Sequence, residues 1–411
     1  MKSAVFAKYD ICRYCRILAG ALITGCLMFS EILIAQDTIS TAQKLKVNGY
    51  LSEMQSVMFS DVNDEWINDI LIHNRMNFSY EPFNGFIAAI EFRNRLMAGQ
   101  TLELSPGSKK NYEMDNGLIP MQWNISGGRS YLLNTSVDRA YIDYTINKIN
   151  IRAGRQRINW GQCFAFNPND IFNTYSFFDF DYTERPGSDA VRLQYYGSAA
   201  STAELAVSAD SAGKITAAGL YRFNLFSYDF QIIAGSVHEQ DYVAGIGWSG
   251  NIRQMGFRGE ASYFLAHKNF SDTSGVFVAV AGIDYSFSNS ISLQLEVLYN
   301  QLPNGYGIKS FQQFYGLPLS AKTLSFTPWN FLLSASYPLT PLINTGLSGI
   351  YYPELNGFYL GPNIGYSLKD NVDLSFYYQY FHGEIKQQVS SQSFSNSFDF
   401  NLAFLRLKWS F

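Results

Sequence analysis

Apolar and polar residues alternate with a period of two through most of the chain. In residues 85–97, Phe86, Ala88, Ile90 and Phe92 share one face while Glu91, Arg93 and Arg95 share the other, and in residues 398–411 Leu405, Leu407, Trp409 and Phe411 oppose Arg406, Lys408 and Ser410. This is the signature of a strand with one apolar and one polar face. The alternation picks out about eighteen segments: 44–61, 67–80, 85–97, 134–146, 149–157, 189–197, 202–210, 214–225, 228–237, 242–250, 253–266, 276–287, 291–300, 330–337, 342–352, 358–368, 372–382 and 398–411. Beyond residue 36 no apolar run is long enough for a transmembrane helix.

The connections between these segments also alternate. Tight turns such as Glu81-Pro82-Phe83-Asn84, Asn147-Lys148 and Lys369-Asp370-Asn371 fall on one side, and the long stretches 98–133, 158–188, 301–329 and 383–397 fall on the other. Short periplasmic turns and long external loops are the habit of outer-membrane barrels, whereas a soluble sandwich or propeller gives no reason for it. An Arg held against lipid near the midplane costs about 2–4 kcal/mol, so the charged faces belong to the lumen. The expected fold is all-β: a monomeric transmembrane antiparallel β-barrel of about 18 strands.

Composition sharpens this picture. The chain has 33 Phe and 28 Tyr, only 16% charged residues and a net charge of −4, which speaks against a nucleic-acid partner and against disorder. Aromatic residues at this density suit a surface in contact with outer-membrane lipid and lipopolysaccharide. Residues 1–35 read as a signal peptide, with Lys2, Lys8, Arg13 and Arg16 before an apolar core at 17–29 and a cleavage point near Ile34-Ala35-Gln36. A retained transmembrane helix is the alternative, interrupted by Glu31, and Ile23-Thr24-Gly25-Cys26 also fits a lipobox. Residues 36–411 then form the barrel, with Cys163 its single cysteine, so neither an internal disulfide nor a cysteine metal site is expected. The terminal Phe411 resembles the aromatic by which barrel-assembly machinery recognises its clients.

One insert stands out. Residues 149–156 and 189–196 have strand patterns, and between them lie Arg155-Gln156-Arg157-Ile158-Asn159-Trp160-Gly161, Asn167-Pro168-Asn169-Asp170 and Arg185-Pro186-Gly187-Ser188-Asp189. A connection this long inside a compact domain implies a function. The expectation is that residues 158–188 fold inward and narrow a pore, with Arg155, Arg157, Asn159, Trp160, Asn167, Asp170, Asp179, Asp181, Glu184, Arg185 and Asp189 at the constriction or tying it to the wall. Trp160, Phe164, Phe166, Tyr175, Phe177 and Phe178 either stack on solute or pack the loop against the barrel. The run from Gly154 to Arg192 that carries these motifs resembles an uncharacterised outer-membrane barrel family related to the alginate-export porins. That resemblance implies an acidic polysaccharide or oligosaccharide as cargo.

Strand parity places Arg75, Arg93, Arg95, Arg139, Arg152, Arg192, Arg222, Arg258, Arg406 and Lys408 in the lumen, against Glu91, Asp143, Glu260 and Glu296. An excess of fixed cations in a narrow aqueous pore admits anions preferentially, although arginines also brace a wall by pairing with carboxylates across strands. Enzyme chemistry finds little support. His238-Glu239 begins a zinc-protease motif but has Tyr242 where the second His belongs, and Gly346-Leu347-Ser348-Gly349 has the wrong spacing for a nucleophile elbow. His238, Glu239 and Asp241 are the candidates should a rim enzyme exist. The acidic group Asp61, Asp64, Glu65 and Asp69 lacks calcium-loop spacing. The reading is therefore a porin or export channel of a Gram-negative outer membrane, not an enzyme, without metal or cofactor, passing anionic or carbohydrate solutes. A surface enzyme and a plugged adhesion or assembly scaffold are its competitors.

Overall fold

A computed structural model describes residues 44–104, 112, 114–175, 177–178, 184–268, 275–302, 320–389 and 392–411. The signal-peptide expectation and Asp179 and Asp181 lie outside them. The described strands are β1 (Leu45–Phe59), β2 (Ile67–Tyr80), β3 (Phe86–Gly99), β4 (Gln122–Gly127), β5 (Tyr131–Ile146), β6 (Ile149–Gln156), β7 (Ser188–Ser198), β8 (Ser201–Ala209), β9 (Ile215–Leu225), β10 (Tyr228–Val237), β11 (Asp241–Ile252) and β12 (Met255–Ala266). They continue with β13 (Val276–Ser286), β14 (Ser292–Asn300), β15 (Trp329–Thr340), β16 (Ile343–Tyr352), β17 (Gly357–Lys369), β18 (Val372–Val389) and β19 (Gln392–Ser410). One short helix, α1 (Gln100–Leu104), follows β3.

Every neighbouring pair in the wall is antiparallel, and β1 closes on β19 in a continuous register from Tyr50↔Ser410 to Phe59↔Asn401. Gly49 and Phe411 exchange both backbone hydrogen bonds, 2.9 and 3.0 Å, and complete the seam. Since β3 pairs directly with β5, β4 stands outside the ring and the wall has 18 strands. Closure leaves no strand edge to lipid, the condition under which a sheet can span a membrane.

The alternating pattern becomes two faces. On β6 and β7, Ile149, Ile151, Val191 and Leu193 are exposed on the outside, while Asn150 and Gln156 are buried on the inside. Inside β12 to β16 the rule changes, because Val278, Val280, Leu298, Leu332 and Ile350 face inward and are buried. They form one cluster with Ile158, Trp160, Phe166 and Ile171 of the β6–β7 connection and with Ala321, Leu324 and Phe326 of the β14–β15 connection. An apolar inner wall is stable here because loop side chains cover it.

Two stretches differ from the sequence reading. The connection 98–133 contains α1 and β4, and β4 runs along β5 from Gln122↔Ser136 to Gly127↔Leu132. It takes the edge of β5 beyond the point where β6 ends at Gln156, so those backbone groups are satisfied. The connection expected at 383–397 is instead a hairpin, where β18 and β19 pair with each other alone from Gly383↔Phe398 to Val389↔Gln392. A closed barrel of this kind should resist detergent until boiled. Electrophoresis of unheated and boiled samples is expected to show two mobilities, and a single mobility in an undenatured preparation would contradict closure.

Candidate pore constriction

At Gln156 the chain leaves the wall, and it rejoins at Ser188. Local bonds define the base of the intervening loop: the Ile158 amide donates to Asn173 Oδ1 (2.8 Å), Asn173 Nδ2 donates to Ser188 Oγ (2.9 Å), and Ser188 Oγ donates to the Phe172 carbonyl (3.0 Å). The Asn167-Pro168-Asn169-Asp170 run is a turn closed by the Asp170 amide on the Asn167 carbonyl (3.1 Å). Asn167 Oδ1 also accepts the Cys163 amide (2.9 Å), and Asn167 lies so close to Gly161 that a side chain there would overlap it. The motif residues thus build the loop's own fold, as in a compact Ω-loop.

Contacts with inward-facing wall residues then fix its position. Glu260 on β12 accepts the amides of Gln162, Cys163 (3.1 Å) and Asn169 (2.9 Å), and Glu296 on β14 accepts those of Phe164 (2.5 Å), Ala165 (2.9 Å) and Phe166 (3.3 Å). Both carboxylates are fully buried. Convergent backbone N–H groups form a concavity that suits an anion, here supplied by the wall. Trp160 Nε1 donates to Glu204 on β8 (2.7 Å), and Gln231 on β10 donates to the Trp160 carbonyl (2.7 Å). β11 passes close by presenting Gly245 and Gly247. A Cβ on Gly247 would stand 2.7 Å from Gln162 Oε1, and one on Gly245 would stand 2.6 Å from Asn169 Oδ1.

The loop aromatics have protein partners. Trp160 and Phe166 are buried, Arg258 lies 3.8 Å over the Phe164 ring, and Arg185 lies 3.0 Å over Tyr175. Phe177 and Phe178 pack on Tyr359 of β17, and Phe178 also on Phe381 of β18. Asn159, Gly161 and Gln162 line a cavity of about 490 Å³ on the turn side, together with Thr202, Arg222, Asp229 and Ser249.

Asp170 is fully buried within the loop, and no hydrogen bond of ordinary geometry reaches its carboxylate oxygens. Burial pushes its carboxyl up from 3.8 to about 8, opposed by the nearby Arg157 and Arg185 guanidinium groups. Burial likewise lowers Arg157 and raises the Cys163 thiol, which is thereby kept protonated and unreactive.

The basic residues named from parity fall into separate groups. Arg75 is buried among Glu91, Asp138 (2.6 Å) and Glu184 (3.9 Å), Arg93 donates to His73 (3.2 Å), and Arg139 donates to the carbonyls of Glu184 and Arg185. Arg95 reaches Asn134, Arg152 pairs with Asp143 (2.6 Å) and Arg192 reaches Asn150. Arg222 donates to Gln231, Arg258 pairs with Asp284 (2.7 Å), Arg406 donates to the Tyr377 hydroxyl, and Lys408 lies 4.1 Å over the Tyr50 ring. Arg155 and Asp189 are elsewhere. They pair with each other on the parity of Ile151 and Leu193, the outer face.

The sequence reading left out several acids, of which Glu204 and Asp284 do lie on the inward parity of their strands. Asp138 occupies a β-bulge between the pairs Glu91↔Arg139 and Phe92↔Val137, which lets both Asp138 and Arg139 serve the inner face. Glu184, Glu204 and Asp284 also join inner-wall contacts. Asp138 breaks the simple alternation and no local signal marks it, whereas Asp284 shares the inward parity of Val276, Val278 and Val280. The rim candidates have structural partners: His238 Nδ1 meets Asp210 (3.2 Å) and Asp241 meets Lys322 (2.7 Å). Asp69 accepts the Thr101 amide and hydroxyl.

With this geometry the chain is a closed 18-strand antiparallel β-barrel, and solved structures share that fold. Acinetobacter baumannii OccAB4 has a TM-score of 0.53 with 8% identity, covering 90% of this chain and 100% of its own. Pseudomonas aeruginosa OccK8 (OprE) has 0.54 with 9% identity over 90% and 98%, and A. baumannii OccAB3 has 0.52 with 10% identity over 89% and 99%. At these identities the likeness is one of fold. No family model and no curated protein matches the sequence.

Two outcomes are expected. Replacing Glu296 by Ala strands three loop amides, so denaturant midpoints should fall by the equivalent of about 2–4 kcal/mol, with Glu296→Gln less affected. Between about pH 4 and 8 the seated loop keeps on Asp170 a proton that the released loop has lost, so seating weakens as pH rises through that window. Proteolysis of the loop at pH 6 and pH 9 should show greater protection at pH 6, and Asp170→Asn should reduce the difference.

Proposed function

We propose that this chain is an outer-membrane channel of a Gram-negative bacterium that passes small solutes by passive diffusion, with the loop at 158–188 as its constriction. The observation that carries the reading is the hold of Glu260 and Glu296 on six loop amides, which ties the segment to the inner wall far from its own strands. A loop so anchored sets pore width by position, not by occasional closure.

The solute is anionic or polyhydroxylated. Arg222, Arg406 and Lys408 are partly exposed and held by neutral or aromatic groups, which leaves their charge available to a passing anion. Arg75, Arg152 and Arg258 are paired with carboxylates, so the preference for anions is modest. The turn-side cavity offers amide, hydroxyl and charged groups that suit a sugar, in keeping with the resemblance to alginate-export porins. Catalysis is not part of this reading, in which His238 is engaged by Asp210 and Asp241 by Lys322.

In planar bilayers the purified protein should give steady conductance, with a reversal potential of the sign for anion preference across a salt gradient. Deleting residues 164–181 should raise single-channel conductance and weaken selectivity while assembly persists. No conductance from a correctly assembled barrel would favour the scaffold reading, and unchanged conductance after the deletion would place the constriction elsewhere.

A further inference from the structure

Arg155 and Asp189 are an ion pair on the wrong side of the wall. They face each other in register across β6 and β7, with Arg155 Nε to Asp189 Oδ1 at 2.7 Å and Nη2 to Oδ2 at 3.0 Å. Their parity is that of Ile149, Ile151, Val191 and Leu193, all exposed outside. Yet only 6% of Arg155 and 9% of Asp189 is exposed. Residues 114–121 cover them. Arg155 Nη1 donates to Asp115 (3.1 Å), Nη2 donates to the Ile119 carbonyl (2.7 Å), and the Ile119 amide donates to Asp189 Oδ2 (2.9 Å). Asp115 also accepts the Gly117 and Met121 amides, and Gly117 sits so close to Arg155 that no side chain fits there.

The cover has a second face. Met114, Leu118, Ile119 (54%), Trp123 and Ile125 (62%) are exposed, and the segment is held at both ends, by β4 on β5 and by Asn116 and Gly117 on the β8–β9 turn. Asp115 and the Ile119 peptide are thus spent on the ion pair, Gln122 donates to the Tyr112 carbonyl and Asn124 accepts from Asn134, and apolar side chains lie where the outer surface of β6 and β7 would continue.

We propose that residues 114–125 are a strap seated against the acyl chains of the outer leaflet, which turns a charged spot on the wall into part of the apolar band. Three observations select hydrocarbon as the occupant: continuity with exposed Ile142, Val191 and Val207 on the adjoining strands, the exclusion of solvent from an outward ion pair, and the side-by-side pairing of β4 with a wall strand. An uncovered guanidinium on the lipid face is unfavourable, so the strap and the pair require each other. The inference rests on the membrane placement proposed above and is independent of the solute.

The test is nitroxide accessibility in phospholipid vesicles, with all four cysteines changed to Ser and a spin label at Leu118→Cys or Ile125→Cys. Ile142→Cys on the barrel wall and Glu65→Cys in an exposed connection are the references. Both strap labels should match Ile142→Cys, with high collision rates for oxygen and low rates for a water-soluble nickel chelate. Nickel access equal to that at Glu65→Cys would overturn the proposal, as would exclusion of both reagents, which would mean a protein partner. An aqueous reading at Ile142→Cys too would overturn the membrane placement along with it. Independently, Ile119→Asp should lower the temperature at which the barrel loses its compact electrophoretic form, whereas Val62→Asp in the β1–β2 connection should not. Equal behaviour of the two would also count against the strap.

Discussion

Closure of the backbone ladder is the constraint on which everything else depends. Lipid offers no hydrogen bonds, so each strand edge must find another strand, and β1 on β19 is the last pairing that makes this possible. Once the ring is closed, a period of two sorts the side chains of a regular strand to the outer or the inner face, the Asp138 bulge excepted. The same constraint explains β4. When the chain turns inward at Gln156, the upper part of β5 would lose its neighbour, and Gln122–Gly127 supplies one.

The inward turn brings a second problem, how to hold a long segment inside a barrel without a core of its own. The solution combines burial with a few directed bonds. Apolar loop residues cover an apolar patch of the inner wall, and such burial stabilises in proportion to area, at about 25 cal/mol per Å². Glu260 and Glu296 then fix the register, because buried carboxylates tolerate little displacement of the amides that satisfy them. Inward glycines at 245 and 247 provide the space. Asp170, buried with no ordinary hydrogen bond, is the weak point of this packing.

Charge in the lumen has two uses that compete. Arg75, held among Glu91, Asp138 and Glu184, links β2, β3 and β5 to the returning end of the loop, and its charge is largely neutralised there. Those bases without a carboxylate partner in direct contact, such as Arg222 and Arg406, keep a field in the aqueous space. A count of inward arginines therefore overstates the net positive charge of the inner face, since the acids that oppose them include Asp138, which alternation does not reveal.

What the sequence determined by itself is the barrel: alternation over about eighteen segments, tight turns on one side and long connections on the other, and the unusual insert with its Asn-Pro-Asn-Asp turn. These are local properties, set by period and by turn chemistry within a few residues. β4 escaped notice because a short segment between polar neighbours has too few alternations to register, and its position depends on where β6 ends. Asp138 needed the bulge, which only pairing with β3 defines. The outward parity of Arg155 was legible beside Ile151, but its meaning was not, because the residues that cover it, Asp115 and Ile119, lie far back in the chain. Likewise Glu260 and Glu296 could be read as inward acids, whereas their loop partners lie roughly a hundred residues away in sequence. Partners so far apart are brought together by closure of the barrel, and only the tertiary structure could decide them.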